Sequence, residues 1–310
     1  MAARNERRFV VRVFHPRGQY PRGRVALPEG LFWAEDDIVF CVTLTQRWSC
    51  VDEDSPYTEM DWLTIDELRF IGSILFCEID DNRTLAFYPV HHYSPVIKRK
   101  NLDLTKHSTA EEIRDLVIRD IACPQFGSQA AVLQECLRWR YALVPNDEVD
   151  LSRQQQFWQG IKTDDYLLLR GLSALMKSDM LSRYSEFFEE ATISCFIALE
   201  ASFRMIIKRL KAEGIPDPNA KDGAEWVHKH FDSLLGLSQP LERYFAEFYD
   251  QRVMTLHPSS RFGEFPYPPL MHDDYFHLRR SLRSIFAYLV SGDHDKGFRD
   301  AVERHNRWGS

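Results

Sequence analysis

The spacing of apolar residues changes once along this chain, near Pro145-Asn146-Asp147-Glu148, and that change limits the fold more than any single residue does. Before it, the runs 8–14, 38–45, 70–79 and 84–90 are rich in β-branched and aromatic residues between turn formers, which predicts the strands of a small sheet. Asp80-Asp81-Asn82-Arg83 predicts a hairpin turn joining the last two runs, and Thr64-Ile65-Asp66-Glu67 fits a capping box that starts a short helix. After it, apolar residues recur every three or four positions, the beat of helices with one buried face. The expected class is α+β, with a β-rich domain over 1–105, a helical connector over 106–150 and an α-helical domain over 151–310.

In the connector, Thr109-Ala110-Glu111-Glu112 fits a second capping box, and Ile113, Leu116, Val117, Ile118 and Ile121 form a stripe that stops before Pro124. A further helix is expected over 128–143. In the last domain the pattern predicts helices over 151–177, with a break at Asp179, then over 182–212, 224–235 and 241–257, and one capped by Asp273 or Asp274. The 182–212 helix carries Ile193, Phe196, Ile197, Glu200, Phe203, Arg204 and Ile207 on one stripe. Glu200 is therefore expected on the buried face, where it needs Arg204 or Arg252 as a partner. In the last helix Tyr275, Leu278, Leu282, Ile285, Phe286 and Leu289 are expected inside, with Arg279, Arg280 and Arg283 outside as a candidate RNA-backbone patch.

Composition excludes several classes of function. A length of 310 residues supports two cores without external staples, and a net charge of −7 leaves any nucleic-acid binding to local basic patches. The six cysteines include no CxxC pair and read as reduced thiols of a cytoplasmic protein. The N-terminus is polar and no run of 18 apolar residues occurs, so no membrane association is expected. His91 and His92, with Cys77 or His107, match no standard ligand spacing, and neither a metal nor a cofactor is expected.

Chemistry is suggested at one stretch, Tyr249 to Gly263. Leu241, Tyr244, Phe245, Phe248, Arg252 and Leu256 share one helix face, so Arg252 is carried toward the core and needs an anion. Pro258 disfavours α conformation at His257, which places the imidazole at the helix C-terminus, where the dipole favours its charged form. Steps of roughly 100° per residue put His257 about 140° around the axis from Arg252, so the two can flank one ligand. An arginine that stabilises phosphate charge and a histidine that exchanges a proton with a 2′-hydroxyl or a leaving oxygen suit RNA cleavage without a metal. Arg261, in the Pro-rich loop that follows, is placed to approach a phosphate.

Residues 151–290 resemble the HEPN superfamily, helical domains of which many are ribonucleases. The likeness rests on Arg252 and His257 at the family's R-x4-6-H spacing, on Glu200-Ala201-Ser202-Phe203-Arg204 as its E-x3-K/R element, and on the order of helices around a Pro-rich loop. Val253 stands where the family commonly has Asn, Asp or His. The resemblance implies Arg252 and His257 as catalytic residues, Glu200 and Arg204 as their support, and a homodimer with a composite site. It also implies a defence or toxin setting in which the N-terminal domain senses or restrains the nuclease, with an antitoxin or regulatory partner possible in such systems. Phe262, Phe265, Tyr267 and Leu270 have no periodic face of their own and are candidates for packing across a twofold axis. A non-catalytic module that dimerises or binds RNA or protein is the alternative.

Overall fold

Arg8-Phe9-Val10-Val11-Arg12-Val13 shows no polar alternation, the mark of a strand covered on both faces. The computed structural model describes residues 7–35, 38–46, 57–58, 63–79, 84–90, 94–97, 99, 101–121, 142–238 and 272–308. They form an α+β chain of two compact units, 1–158 and 159–310. In the first unit, β1 (Arg7–Val13), β2 (Gln19–Pro21), β3 (Gly23–Leu27), β4 (Gly30–Glu35) and β5 (Ile38–Gln46) precede helix α1 (Ile65–Leu75), with β6 (Tyr57–Thr58) between them. β7 (Ser94–Pro95), α2 (His107–Leu116), β8 (Ala142–Val144) and α3 (Gln154–Gly160) follow.

The main sheet has the order β1-β5-β4-β3, every pair antiparallel, with Val11 opposite Val42 and Phe32 opposite Cys41. Alternate residues face opposite sides. Phe9, Val11, Val13, Trp33, Phe40 and Val42 pack with Ala110 and Ile113 of α2 on one side. Arg12 points to the other, where its guanidinium grips Glu67 of α1 with Nε to Oε1 at 2.9 Å and Nη2 to Oε2 at 3.0 Å. Both side chains are buried, at 1% and 0% exposure. Glu67 also completes the capping box of α1. The Thr64 amide donates to its Oε2 at 2.8 Å, and its own amide donates to Thr64 Oγ1 at 2.9 Å. One carboxylate thus starts the helix and neutralises the arginine beneath it. Gly30 makes that approach possible, because a Cβ there would lie 2.4 Å from the Phe70 ring.

The expected helix start at Thr64 is present, yet the helix runs through Phe70 to Leu75, a stretch whose β-branched and aromatic content predicts a strand. The reason is that every position from Phe70 to Leu75 is buried, so β-branched and aromatic residues crowd that half and mask the helical spacing of Leu68, Ile71, Ile74 and Leu75. The expected strand over 84–90 is reduced to isolated bridges, Ala86 with Gln19 and Pro89 with Phe14. The expected turn at 80–83 lies outside the described residues. α2 begins after Lys106 with no side-chain cap, so the Thr109 box is not used, and the helix widens into a π turn over Val117–Ile121. Leu143, expected at a helix end, lies in β8, which pairs in parallel with β2. Strands β2 to β4 escaped the sequence reading.

In the second unit, α4 (Tyr166–Leu181) and α5 (Phe188–Ala212) form a long pair, followed by α6 (Ala220–His230), a 3-10 turn (Asp232–Leu235), α7 (His272–Ser291) and α8 (Lys296–Trp308). The expected break at Asp179 does not occur, since the residue sits inside α4. Instead the break falls at 161–165, where Asp165 caps α4 by accepting from the Leu168 amide at 3.3 Å. α6 starts at Ala220 through an Asn219/Asp222 capping box, and α8 was not anticipated. α5 buries Phe196 as expected, but the rest of its inward face is offset from the stripe of large residues. Ala191, Cys195, Ala198, Leu199, Ser202 and Ile206 are buried, while Ile193, Ile197, Phe203 and Ile207 are half-buried. Small side chains let helices approach closely. Gly171 of α4 does the same, as a Cβ there would lie 2.5 Å from the Phe286 ring of α7 and 3.2 Å from Ala201 of α5.

Arg12→Ala strands the Glu67 carboxylate in the core, so it is expected to lower unfolding stability by roughly 3–5 kcal/mol, measured by urea denaturation. A loss below about 1 kcal/mol would show that the pair does not hold α1 to the sheet.

Candidate functional site

The residues expected to act on RNA separate into three groups. Arg252, His257 and Arg261 lie outside the described residues. Glu200 and Arg204 are one turn apart on α5, where Arg204 Nε donates to Glu200 Oε1 at 2.8 Å. Their side chains are 39% and 63% exposed, so the expectation that Glu200 is buried is overturned. The inward face of α5 is the small-residue stripe, which leaves the Glu200 and Arg204 positions toward solvent.

The third group comprises the arginines of α7. Arg280 is exposed, as expected. Arg279 and Arg283, expected outside with it, are each only 1% exposed. Arg279 meets Asp179 of α4 in a two-bond fork, Nε to Oδ1 and Nη2 to Oδ2, both 2.7 Å. That carboxylate is also 1% exposed. Arg283 Nη2 lies 3.3 Å from Oδ2 of Asp295, a buried residue in the turn before α8. The physical reason is the width of the buried face of α7. Tyr275, Leu278, Leu282, Ile285, Phe286 and Ala287 are all buried, more than one stripe, so the arginines beside them enter the interior and take carboxylate partners.

A polar cluster surrounds the Asp179–Arg279 fork. Ser178 donates to the Ala191 carbonyl at 2.9 Å, which commits its proton. The 2.6 Å contact between Ser178 and Tyr275 hydroxyls therefore has Tyr275 as donor. Burial raises the pKa of Tyr275 and keeps it a neutral donor. The thiol of Cys195, fully buried, is raised by that burial and then by the Asp179 charge, so it stays protonated and unreactive. These groups fix helix register and lie too deep to meet a polymer substrate.

Among the described residues no group of three His, Cys, Asp or Glu side chains is arranged to hold a metal ion. Cys77 is buried and donates to the Ser73 carbonyl at 3.3 Å, and His107 lies beside Arg24 at 2.8 Å and Glu111 at 3.2 Å. His91 and His92 lie outside the described residues. Cys41, Cys77 and Cys195 are free thiols. In the first unit a surface hollow of about 360 Å³ is lined by Arg22, Leu143, Val144, Pro145 and Asp147. No helix among the described residues is long and apolar enough to cross a membrane. None of the protein families, curated proteins or solved structures compared with the chain matches it.

The site's role in stability follows from these placements. Glu200→Ala or Arg204→Ala removes an exposed pair and is expected to change unfolding stability by less than about 0.5 kcal/mol. Asp179→Ala leaves Arg279 buried and unmatched and is expected to cost roughly 3–5 kcal/mol in the same urea titration. Equal losses at the two sites would contradict the burial difference.

Proposed function

We propose that the chain is a metal-independent endoribonuclease of HEPN type, acting in the cytoplasm in a defence or toxin setting. The observation that carries the reading is the placing of Arg252 and His257, five residues apart before a Pro-rich loop, in an otherwise helical domain. His257 moves the proton of the attacking 2′-hydroxyl or of the leaving oxygen, and Arg252 holds the charge that builds on the phosphate. Because one histidine supplies one proton-transfer group, a homodimer that sets two copies of His257 across a twofold axis supplies both acid and base. Phe262, Phe265, Tyr267 and Leu270 are the apolar residues offered for that contact.

The burial of Arg279 and Arg283 refines the RNA-binding surface. With those two buried in ion pairs, the RNA-facing residues of this reading are Arg280, which is exposed on α7, and Arg252 and Arg261 of the preceding sequence. Fewer phosphate contacts mean a shallow salt dependence, since each neutralised phosphate adds about 0.7 to the slope of log K against log salt for single strands. The N-terminal unit is assigned the sensing or restraining role, with an antitoxin or regulatory protein as a possible partner class. Val253, in place of a polar residue beside the arginine, favours the second reading, a helical module that dimerises or binds RNA without cleaving it.

His257→Ala is expected to abolish cleavage of single-stranded RNA in the presence of EDTA while leaving the thermal melt within a few degrees of wild type, since the sequence pattern predicts it at a helix end. Undiminished cleavage by that variant would place the active site elsewhere. Loss of wild-type cleavage on adding EDTA would show that the chemistry needs a metal.

A further inference from the structure

The C-terminal helix α8 is fastened to the rest of the helical unit through a seam of histidines and aromatic rings. The His294 ring stacks on Phe298 of α8 with centroids 4.3 Å apart and on Tyr288 of α7 at 4.7 Å, and meets Phe231 edge-on at 4.9 Å. Tyr288 in turn shares a hydrogen bond with His230 Nδ1 at 2.8 Å, and the His230 ring lies 4.6 Å from Trp226. His294 also bonds the backbone of His230, the last residue of α6. Three elements that are separate in sequence, the end of α6, the end of α7 and the start of α8, thus meet on two imidazoles.

We propose that the His230–Tyr288–His294–Phe298 seam is a pH-sensitive clasp that holds α8 on the helical unit when both imidazoles are neutral and releases it on acidification. Burial and the closeness of the two imidazoles favour the neutral form. A protonated His230 can only donate from Nδ1, so Tyr288 must accept there and its own proton needs another partner. Charging His294 desolvates a cation in a half-buried site, a cost set against the attraction of the two ring faces on which it stacks. Charging both places two like charges in one seam.

The groups around the seam decide the direction. His230 is held below its ordinary value first by burial, then by the charges of Lys229 beside it and Arg209 of α5, with Glu213 and His294 also acting on it. His294 is lowered first by burial, and Arg299 of α8 lowers it further, while Asp295, Asp293 and its bond to the His230 backbone oppose the shift. His228 on α6, Arg283 on α7 opposite Asp295, and His305 of α8 complete the set, the last lying over Gly236, where a Cβ would come within 2.2 Å of the His305 ring. Asp232 works in the opposite sense. Burial raises its carboxyl, partly offset by His228, so its protonation favours the folded form.

For a histidine lowered in the folded state, stability is full above the unfolded value near 6.5 and is lost as pH falls from there through the folded value. Two further contacts fasten the start of α8 independently of the imidazoles, the Asp295 cap to the Phe298 amide at 2.8 Å and the Arg283–Asp295 pair. Release is therefore expected as faster local opening of α8, with the rest of the unit still folded.

Hydrogen exchange on the full chain at pH 7.5 and 5.0, with exchange times scaled for the intrinsic chemical rate, reads this opening directly. The amides of Lys296–Trp308 are expected to lose protection several-fold at pH 5.0 while those of Tyr166–Leu181 keep theirs. His294→Phe retains a ring between Tyr288 and Phe298 without a titrating group and is expected to reduce the pH dependence of α8. Titration of the imidazole signals in the wild-type protein by NMR keeps the test decisive if that variant fails to fold, with His230 and His294 both expected below 6.5. Equal α8 protection at the two pH values, or either histidine titrating at or above 6.5, overturns the clasp.

Discussion

The helical unit depends on the fork between Asp179 and Arg279. An arginine on the inner face of α7 needs an anion, because an unpaired buried charge costs roughly 3–5 kcal/mol, a large share of a domain's net stability. Asp179 meets it from α4 in bidentate geometry, and Ser178 next to it ties Tyr275 of α7 and the Ala191 carbonyl of α5 into the same cluster. Three helices are thereby set in one register. A slide of α7 by one turn would remove Arg279 from its only fitting height on α4. The small-residue face of α5 and Gly171 of α4 bring the backbones close enough for such short contacts. The first unit solves the same problem with Arg12 and Glu67, using one carboxylate both to neutralise a buried guanidinium and to start α1.

Placing cations inside has a consequence for function. On a chain of net charge −7 any hold on a phosphate backbone rests on local basic patches, and α7 gives up two of its three arginines to structure. Affinity for RNA, in the nuclease reading, must then come from a small number of contacts close to the scissile phosphate rather than from a broad basic surface. Such an enzyme gains selectivity from geometry at the reacting bond, where a proton-transfer group and a charge-stabilising arginine act together, more than from hold on the polymer.

The sequence was most legible where one principle acted alone. The two-class division, the strands at 8–14 and 38–45 and the capping box at Thr64 were legible because burial, propensity and capping agree there. It was least legible where elements are buried on more than one side. α1 is buried at every position from Phe70 to Leu75 and so reads as a strand there, and α7 buries Arg279 and Arg283 beside its apolar residues. Asp179 reads as a helix breaker on its own, since its partner lies 100 residues away and sequence spacing carries no trace of the pairing. On α5 the large residues other than Phe196 suggested an inner face offset from the real one, whereas the run of Ala191, Cys195, Ala198 and Ser202 at helical spacing was the available signal. The histidine seam was missed for a similar reason, because His230 and His294 are 64 positions apart and only the meeting of three helix ends brings them together.

The most direct test of the nuclease reading is the chemistry of the ends it leaves. Attack by the neighbouring 2′-hydroxyl, with His257 as the proton-transfer group, breaks the bond to the 5′-oxygen and leaves a 2′,3′-cyclic phosphate on one fragment and a 5′-hydroxyl on the other. Mass spectrometry of a defined RNA oligonucleotide cleaved by the purified full chain in excess EDTA is expected to show those two ends, and no cleavage where the scissile ribose is replaced by 2′-deoxyribose. Fragments ending in 3′-hydroxyl and 5′-phosphate, or cleavage of the 2′-deoxy substrate, would contradict it.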